Sequence, residues 1–259
     1  MMANNIKYIF FGTPEFATII LEKLMKSGYK PIAVFRDPKE LTSVLIEKLE
    51  HLKPDLAVIA AYGKILPKEI LDIPRFGFIN VHPSLLPKYR GASPIQCAIL
   101  NGDKETGVTI MKIDKKMDHG PILAYSKWLI ANSDTYESLS KKLAKFGAEL
   151  LVKTMSDYIS GRIKPIEQEH EKATYTKIIK KEDGKIDWIK SAIEIERMTR
   201  GYYPWPSTWT TWNGKILKII EANIVPGNGH KIGEVFSLQH PYKLENVRML
   251  LGVKCGKEN

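Results

Sequence analysis

The chain has 259 residues, 44% of them hydrophobic, which is enough for one medium domain plus a small one and too apolar for a disordered chain. Its 39 basic residues outnumber its 29 acidic ones, for a net charge of +10; this permits a polyanionic partner such as RNA without demanding one. Two cysteines, Cys97 and Cys255, exclude a disulfide framework and a zinc pattern and fit a reducing cytoplasm, and no stretch reaches the ~18 apolar residues of a membrane span.

In chain order, Ile6–Phe11 (IKYIFF) reads as a buried strand turned by Gly12-Thr13-Pro14. Glu15–Lys26 then carries Phe16, Ile19, Ile20 and Leu24 at helical spacing, with Thr13 as the expected N-cap, Pro14 at the first helical position and Gly28 as the stop. A strand over Pro31–Phe35, a helix over Leu41–Leu52 and a near-continuous apolar strand over Asp55–Ala61 follow. Next come a strand at Phe78–Val81, a helix at Ser93–Leu100 capped by Ser93, and extended runs at Gly107–Lys112 and Ile122–Ile130 about a charged loop. Thr135–Ile159 is a long amphipathic helix stopped near Gly161. Continuous apolar strands alternating with helices predict an α/β, Rossmann-like, mostly parallel sheet covered on both faces, over residues 1–164. The first turn, FGTPEFA, has one Gly where the dinucleotide fingerprint has three, which disfavours a dehydrogenase. Residues 165–180 read as a polar linker. Residues 181–259 hold four of the five Trp, a short helix at Ser191–Gly201 and Gly-turned runs that predict a small, OB-like β-barrel.

The informative stretch is FINVHPSLLPKYRGASPIQ, Phe78–Gln96. Residues two apart on a strand share a face, so Asn80 and His82 project side by side at its carboxyl end, where open α/β sheets bind ligands. Imidazole can move a proton near pH 7 or, as a cation, stabilise an oxyanion, and Asn offers amide donors to the same charge. Ser84 lacks the GxSxG surroundings of a nucleophile. An Asp facing His82 would orient the ring. The loop Lys112–Gly120 offers Asp114, Asp118 and His119; spacing does not choose between the aspartates, and on spacing alone a solvated charged loop is the better account.

Ile79–Leu123, with FFGTPEF, AAYGKILP and YTKIIKKEDGKIDW…YYPWPSTW, resembles the 10-formyltetrahydrofolate-dependent formyltransferases over most of the chain. The carboxyl-terminal motifs are similar to those of members that formylate methionyl-tRNA. The resemblance places the family's catalytic Asn, His and Asp on Asn80, His82 and Asp118. It implies formyl transfer to the α-amino group of initiator methionyl-tRNA through a tetrahedral intermediate stabilised by Asn80 and His82, with no metal. The folate is expected along Ser84, Leu85, Leu86 and Pro87, along Gly63, Lys64 and Ile65, and at Asp114. Leu86–Pro87 is a candidate cis peptide. Lys172, Lys177, Lys180, Lys181 and Lys185 are candidate tRNA-phosphate contacts. A cytoplasmic monomer, free of membrane, is expected. An amino-sugar formyltransferase, or an idle RNA-binding protein on the same scaffold, remains as an alternative.

Members of the family carry a long basic loop after the second strand that takes part in tRNA binding. Here Ala33–Phe35 runs straight into Arg36, so a contiguous piece is expected to be missing there, and a second near Phe236–Leu238.

Overall fold

The computed structural model describes residues 6–39, 42–225, 231–238 and 250–256. Its first part alternates β1 (Tyr8–Phe11), α1 (Glu15–Lys26), β2 (Ala33–Phe35), α2 (Thr42–Leu52), β3 (Leu56–Ile59), a single turn α3 (Lys68–Leu71) and β4 (Phe78–His82). It continues through β5 (Arg90–Gly91), α4 (Pro94–Asn101), β6 (Glu105–Lys112), β7 (Ile122–Leu129) and α5 (Tyr136–Ile159). Six strands form one sheet in the order β2-β1-β3-β4-β6-β7. The first four are parallel; β6 runs antiparallel to β4, and β7 to β6.

The two faces follow from the period of two. Tyr8, Phe10, Leu56, Val58, Ile79 and Val81 pack in one core with residues of α1 and α5. Ile9, Phe11, Ala57, Ile59 and Phe78 pack in a second core with residues of α2 and α3. β4 is therefore apolar on both faces at its start. Its next residues on the second face are Asn80 and His82, and polar side chains take the place of core there. Behind them α5 lies close, because a Cβ on Gly147 would meet Val81 and Val108 at 3.0 Å.

The helices fall close to their expected spans, but two caps differ. Pro14, not Thr13, occupies the N-cap of α1, and no side chain caps it. The Thr13 hydroxyl instead donates to Arg36 O at 2.9 Å, tying the first turn to the chain leaving β2. Ser93 likewise makes no side-chain cap to α4. Thr135 does cap α5, in a reciprocal box with Ser138. At the expected excision the chain passes from Phe35 to Arg36 with Gly12 N bonded to Phe35 O at 3.1 Å.

The segment read as a linker is built into the sheet domain. Ile166 pairs with Ile122 at the sheet edge. β8 (Tyr175–Thr176) pairs in parallel with β5. α6 (Ala192–Tyr202) then packs on α4, with Gly201 against Ile99 and Leu100. β9 (Thr208–Trp212) and β10 (Lys215–Ile219) form a hairpin about Asn213-Gly214, both at positive φ as a tight two-residue turn requires. β11 (Val235–Leu238) and β12 (Leu250–Val253) form a second antiparallel pair. The closure expected of a barrel, and the far side of the shortfall near Leu238, lie outside the described residues.

Asp134 makes the start of α5 pH-sensitive. Its buried carboxylate accepts from Lys142 Nζ at 2.6 Å, Ser138 Oγ at 2.7 Å and Ala131 N at 3.0 Å. Burial alone would raise its pKa, but the Lys142 ammonium and the Ser138 and Ala131 donors hold it below the ordinary carboxylate range. A depressed pKa contributes stability above the unfolded value of about 3.9 and loses it as pH falls through the folded value. Asp134→Asn is expected to cost about 1–3 kcal/mol at pH 7. Urea unfolding should show that difference shrinking below about pH 4.

Candidate active site

Asn80 and His82 project from the end of β4 on one face, as their spacing predicts. Across from them stands Asp118, on the loop between β6 and β7. Its Oδ1 lies 3.5 Å from Asn80 Nδ2 and 3.6 Å from His82 Nδ1. Its Oδ2 accepts a short 2.7 Å bond from Gly91 N. One oxygen is thus an anchor and the other faces the two polar groups. Asp118 adopts φ 48°, a left-handed conformation that non-glycine residues rarely hold unless their surroundings impose it.

The other nitrogen of His82 fixes its role. Nε2 lies 3.0 Å from Tyr89 O. A carbonyl only accepts, so Nε2 carries the hydrogen and Nδ1 carries the lone pair. Neutral, Nδ1 offers a lone pair; protonated, it becomes a donor paired with Asp118. His82 is buried, whereas Asn80 is half-buried.

Asp114 goes elsewhere. Its Oδ2 pairs with His119 Nδ1 at 2.7 Å, and its Oδ1 accepts from Lys116 N at 2.9 Å. These contacts turn the loop and bring Asp118, not Asp114, to Asn80 and His82.

The remaining predicted residues frame this centre. Gly63, Lys64 and Ile65 follow β3, which pairs with β4 so that Ile59 lies beside Asn80. Gly63 takes φ 75°, and Ile65 is 71% exposed. Leu85, Leu86 and Pro87 form the turn after β4, and Leu86–Pro87 is cis. Ser84 in that turn is fully buried, and its hydroxyl donates to Lys88 O at 2.6 Å. Its carbonyl accepts from Thr109 Oγ1, whose oxygen in turn accepts from Leu86 N. Ser84 therefore builds the turn, with its hydroxyl hydrogen committed to Lys88 O. On the β6–β7 loop Met117 is 50% exposed.

Sequence reasoning missed three supporting residues. Arg90 is 1% exposed and donates to Gln168 Oε1 through Nε at 3.2 Å and Nη2 at 2.6 Å. Gln168 Nε2 donates to Asp118 O at 3.0 Å and to Gly120 O at 2.7 Å. His170 stacks on His119, the ring centres 3.9 Å apart and the planes 5° from parallel. Arg90 was legible only as a charge beside a glycine, and Gln168 and His170 only as polar residues in a linker.

The formyl transferase family profile matches residues 20–155, and the profile of the formyl transferase C-terminal domain matches residues 178–247. A methionyl-tRNA formyltransferase of Caldanaerobacter subterraneus is 41% identical over 283 residues, covering 97% of this chain and 89% of the relative. The chain belongs to the formyl transferase family. Among solved structures, HypX from Aquifex aeolicus in complex with tetrahydrofolic acid has a TM-score of 0.73 at 18% identity, covering 90% of this chain and 40% of that one. Methionyl-tRNA formyltransferase from Clostridium thermocellum has a TM-score of 0.65 at 16% identity, covering 97% of this chain and all of that one, 100%. At these identities both speak for the shared fold. The span aligned with the Caldanaerobacter relative exceeds the 259 residues of this chain, so that relative carries internal residues this chain lacks.

If His82 Nδ1 is the working nitrogen, His82→Ala should lower turnover by a factor of about 10²–10⁴, as for other general acid–base groups. Thermal melting should move little. Near-normal turnover in the variant would reduce His82 to a structural role.

Proposed function

We propose that the chain moves the formyl group of 10-formyltetrahydrofolate to the α-amino group of methionine on initiator methionyl-tRNA, with Asn80, His82 and Asp118 as the catalytic residues. The observation that carries this reading is the meeting of those three side chains at the end of β4, with Asp118 Oδ1 within 3.6 Å of both partners. The family and its methionyl-tRNA formyltransferase relatives supply the substrate class.

The folate donor supplies an activated formyl carbon that an amine can attack. Asn80 Nδ2, and His82 Nδ1 when protonated, donate to the oxygen that gains negative charge as the amine adds. As a base, Nδ1 takes a proton from the attacking amine; as an acid, it returns one toward the departing nitrogen, directly or through one water. Asp118 stabilises the imidazolium formed between these events, and its Gly91 anchor keeps Oδ1 facing the ring. The distances of 3.5 and 3.6 Å are long, as such contacts often are before substrate closes the site.

The surroundings fit a folate. Ile65 and Met117 expose apolar side chains from the two loops that flank Asn80, a surface that a flat pterin ring would cover. Gly63, Lys64 and Ile65, the turn Leu85–Pro87 and Asp114 complete the proposed contacts, with Ser84 as the frame of the turn. No metal is needed for this chemistry.

For the tRNA, the exposed ion pairs of two candidate lysines favour the other three. Lys172 pairs with Glu169, and Lys177 with Asp183. Lys180, Lys181 and Lys185 stay exposed, and Lys185 Nζ lies 5.9 Å from the centre of the Trp209 ring. These three are the proposed phosphate contacts. Among the described residues no helix is long and apolar enough to cross a membrane. Because the proposed acceptor is methionyl-tRNA, we place the protein in the cytoplasm, and we take it to act as a monomer.

A single-turnover assay with formyl-labelled donor tests the reading, with methionyl-tRNA, a free amino sugar and water as parallel acceptors. Label is expected on methionyl-tRNA. Faster transfer to the sugar, or release as formate, would replace tRNA as the substrate.

A further inference from the structure

The Gln168 amide works in two directions. Its oxygen faces Arg90, and its two hydrogens face Asp118 O and Gly120 O. Only one amide orientation satisfies both, because a guanidinium only donates and a carbonyl only accepts. Arg90 is itself held firmly. Its N donates to Thr174 O at 2.8 Å, and its carbonyl accepts from Thr176 Oγ1 at 3.1 Å. The rest of its fork reaches His170 Nδ1 at 2.8 Å and Tyr175 OH at 3.2 Å. Among the described residues no carboxylate pairs with this buried cation, so its partners are all neutral groups of residues 168–176. A buried charge satisfied in this way locks the direction of whatever accepts from it.

What it locks is the turn that carries Asp118. The two carbonyls bracket His119, whose ring is stacked on His170. Gly91, the residue after Arg90, binds the Asp118 carboxylate. A Cβ on Gly91 would stand 2.6 Å from Thr176 O, so this approach depends on a glycine at φ 110°. The pair Arg90-Gly91 therefore holds Asp118 twice: through its side chain at Oδ2, and through its main chain by way of Gln168.

We propose that Gln168, oriented by Arg90, is a positioning residue that sets Asp118 against His82. The proposal rests on the formyl-transfer reading above. Without the two amide donors the left-handed Asp118 keeps only its carboxylate anchor at Gly91 N, and Oδ1 drifts from His82 Nδ1. A displacement of about 1 Å at a catalytic group lowers a rate on the order of 10²-fold.

The test is a double-mutant cycle on the full chain. Gln168→Met keeps length and loses both donors; Asp118→Asn removes the group through which Gln168 acts. Gln168→Met alone is expected to lower kcat by about 10- to 100-fold, with KM for methionyl-tRNA and for the folate donor changed less than about twofold. In the Asp118→Asn background the same change should cost less than about threefold, because the two residues act as one unit. If Gln168→Met does not fold, Gln168→Glu takes its place in the cycle: its carboxylate keeps Arg90 paired but brings no hydrogen to Asp118 O or Gly120 O. Equal losses in both backgrounds, a loss confined to KM, or kcat within about twofold of wild type would overturn the proposal. A wild-type chain that does not formylate methionyl-tRNA would instead sink the functional reading.

Discussion

The carboxylate of Asp118 joins three separately folded pieces of chain. β4 presents Asn80 and His82 to one of its oxygens, β5 gives Gly91 N to the other, and residues 168–176 fix its backbone. Ordering a charged nine-residue loop opposes a conformational entropy of roughly 1–2 kcal/mol per residue. The loop is ordered because each of its polar ends is satisfied by a neighbour: Asp114 by His119 and Lys116 N, Gly120 and Asp118 by Gln168. The left-handed Asp118 persists because it is over-determined.

The sheet explains why this happens at β4. Up to β4 every strand is parallel, and β1 and β3 are fully buried between the two cores, so polar residues have no place along them. After β4 the next strand, β6, is antiparallel, and the chain between β6 and β7 folds over the face that carries Asn80 and His82. Phe78 still packs into the core with α2 and α3, but two and four residues later the cover is a polar loop instead of a helix. The change from apolar to polar on one strand face is thus a change in what covers that face.

That change was legible in FINVH, because period-two alternation needs no tertiary information. The helices were legible for a similar reason, since their apolar spacing and stops are local. The choice of Asp118 over Asp114 was not local. It depends on how Asp114 pairs with His119 to turn the loop, and residue physics left the two aspartates equal until resemblance to a family separated them. Gln168 and Arg90 were invisible because their meaning lies across 78 residues of chain. Thr13 was misread as a cap because sequence shows a hydroxyl before a proline but not the Arg36 carbonyl that takes its hydrogen. The tautomer of His82 was hidden likewise, since only the position of Tyr89 O decides it.

The same first turn bears on the shortened chain. Gly12 N holds Phe35 O and Thr13 Oγ1 holds Arg36 O, so two neighbouring residues of one turn grip both sides of the Phe35–Arg36 junction. Two chain ends held this close can be joined by a long loop or by none with no change to β1, β2 or α1, and the closure entropy of a loop rises only slowly with its length. An excision here therefore leaves the sheet, and with it Asn80 and His82, untouched. What the resemblance leads one to expect there, a basic loop beside the carboxyl end of the sheet, is what this chain would lack. If the acceptor is a tRNA, its phosphates must then be met by the cations that remain, and the exposed Lys180, Lys181 and Lys185 stand just beyond the segment that holds Asp118. On the proposed reading, acceptor binding and the placing of the Asp118 carboxylate would then share one stretch of backbone.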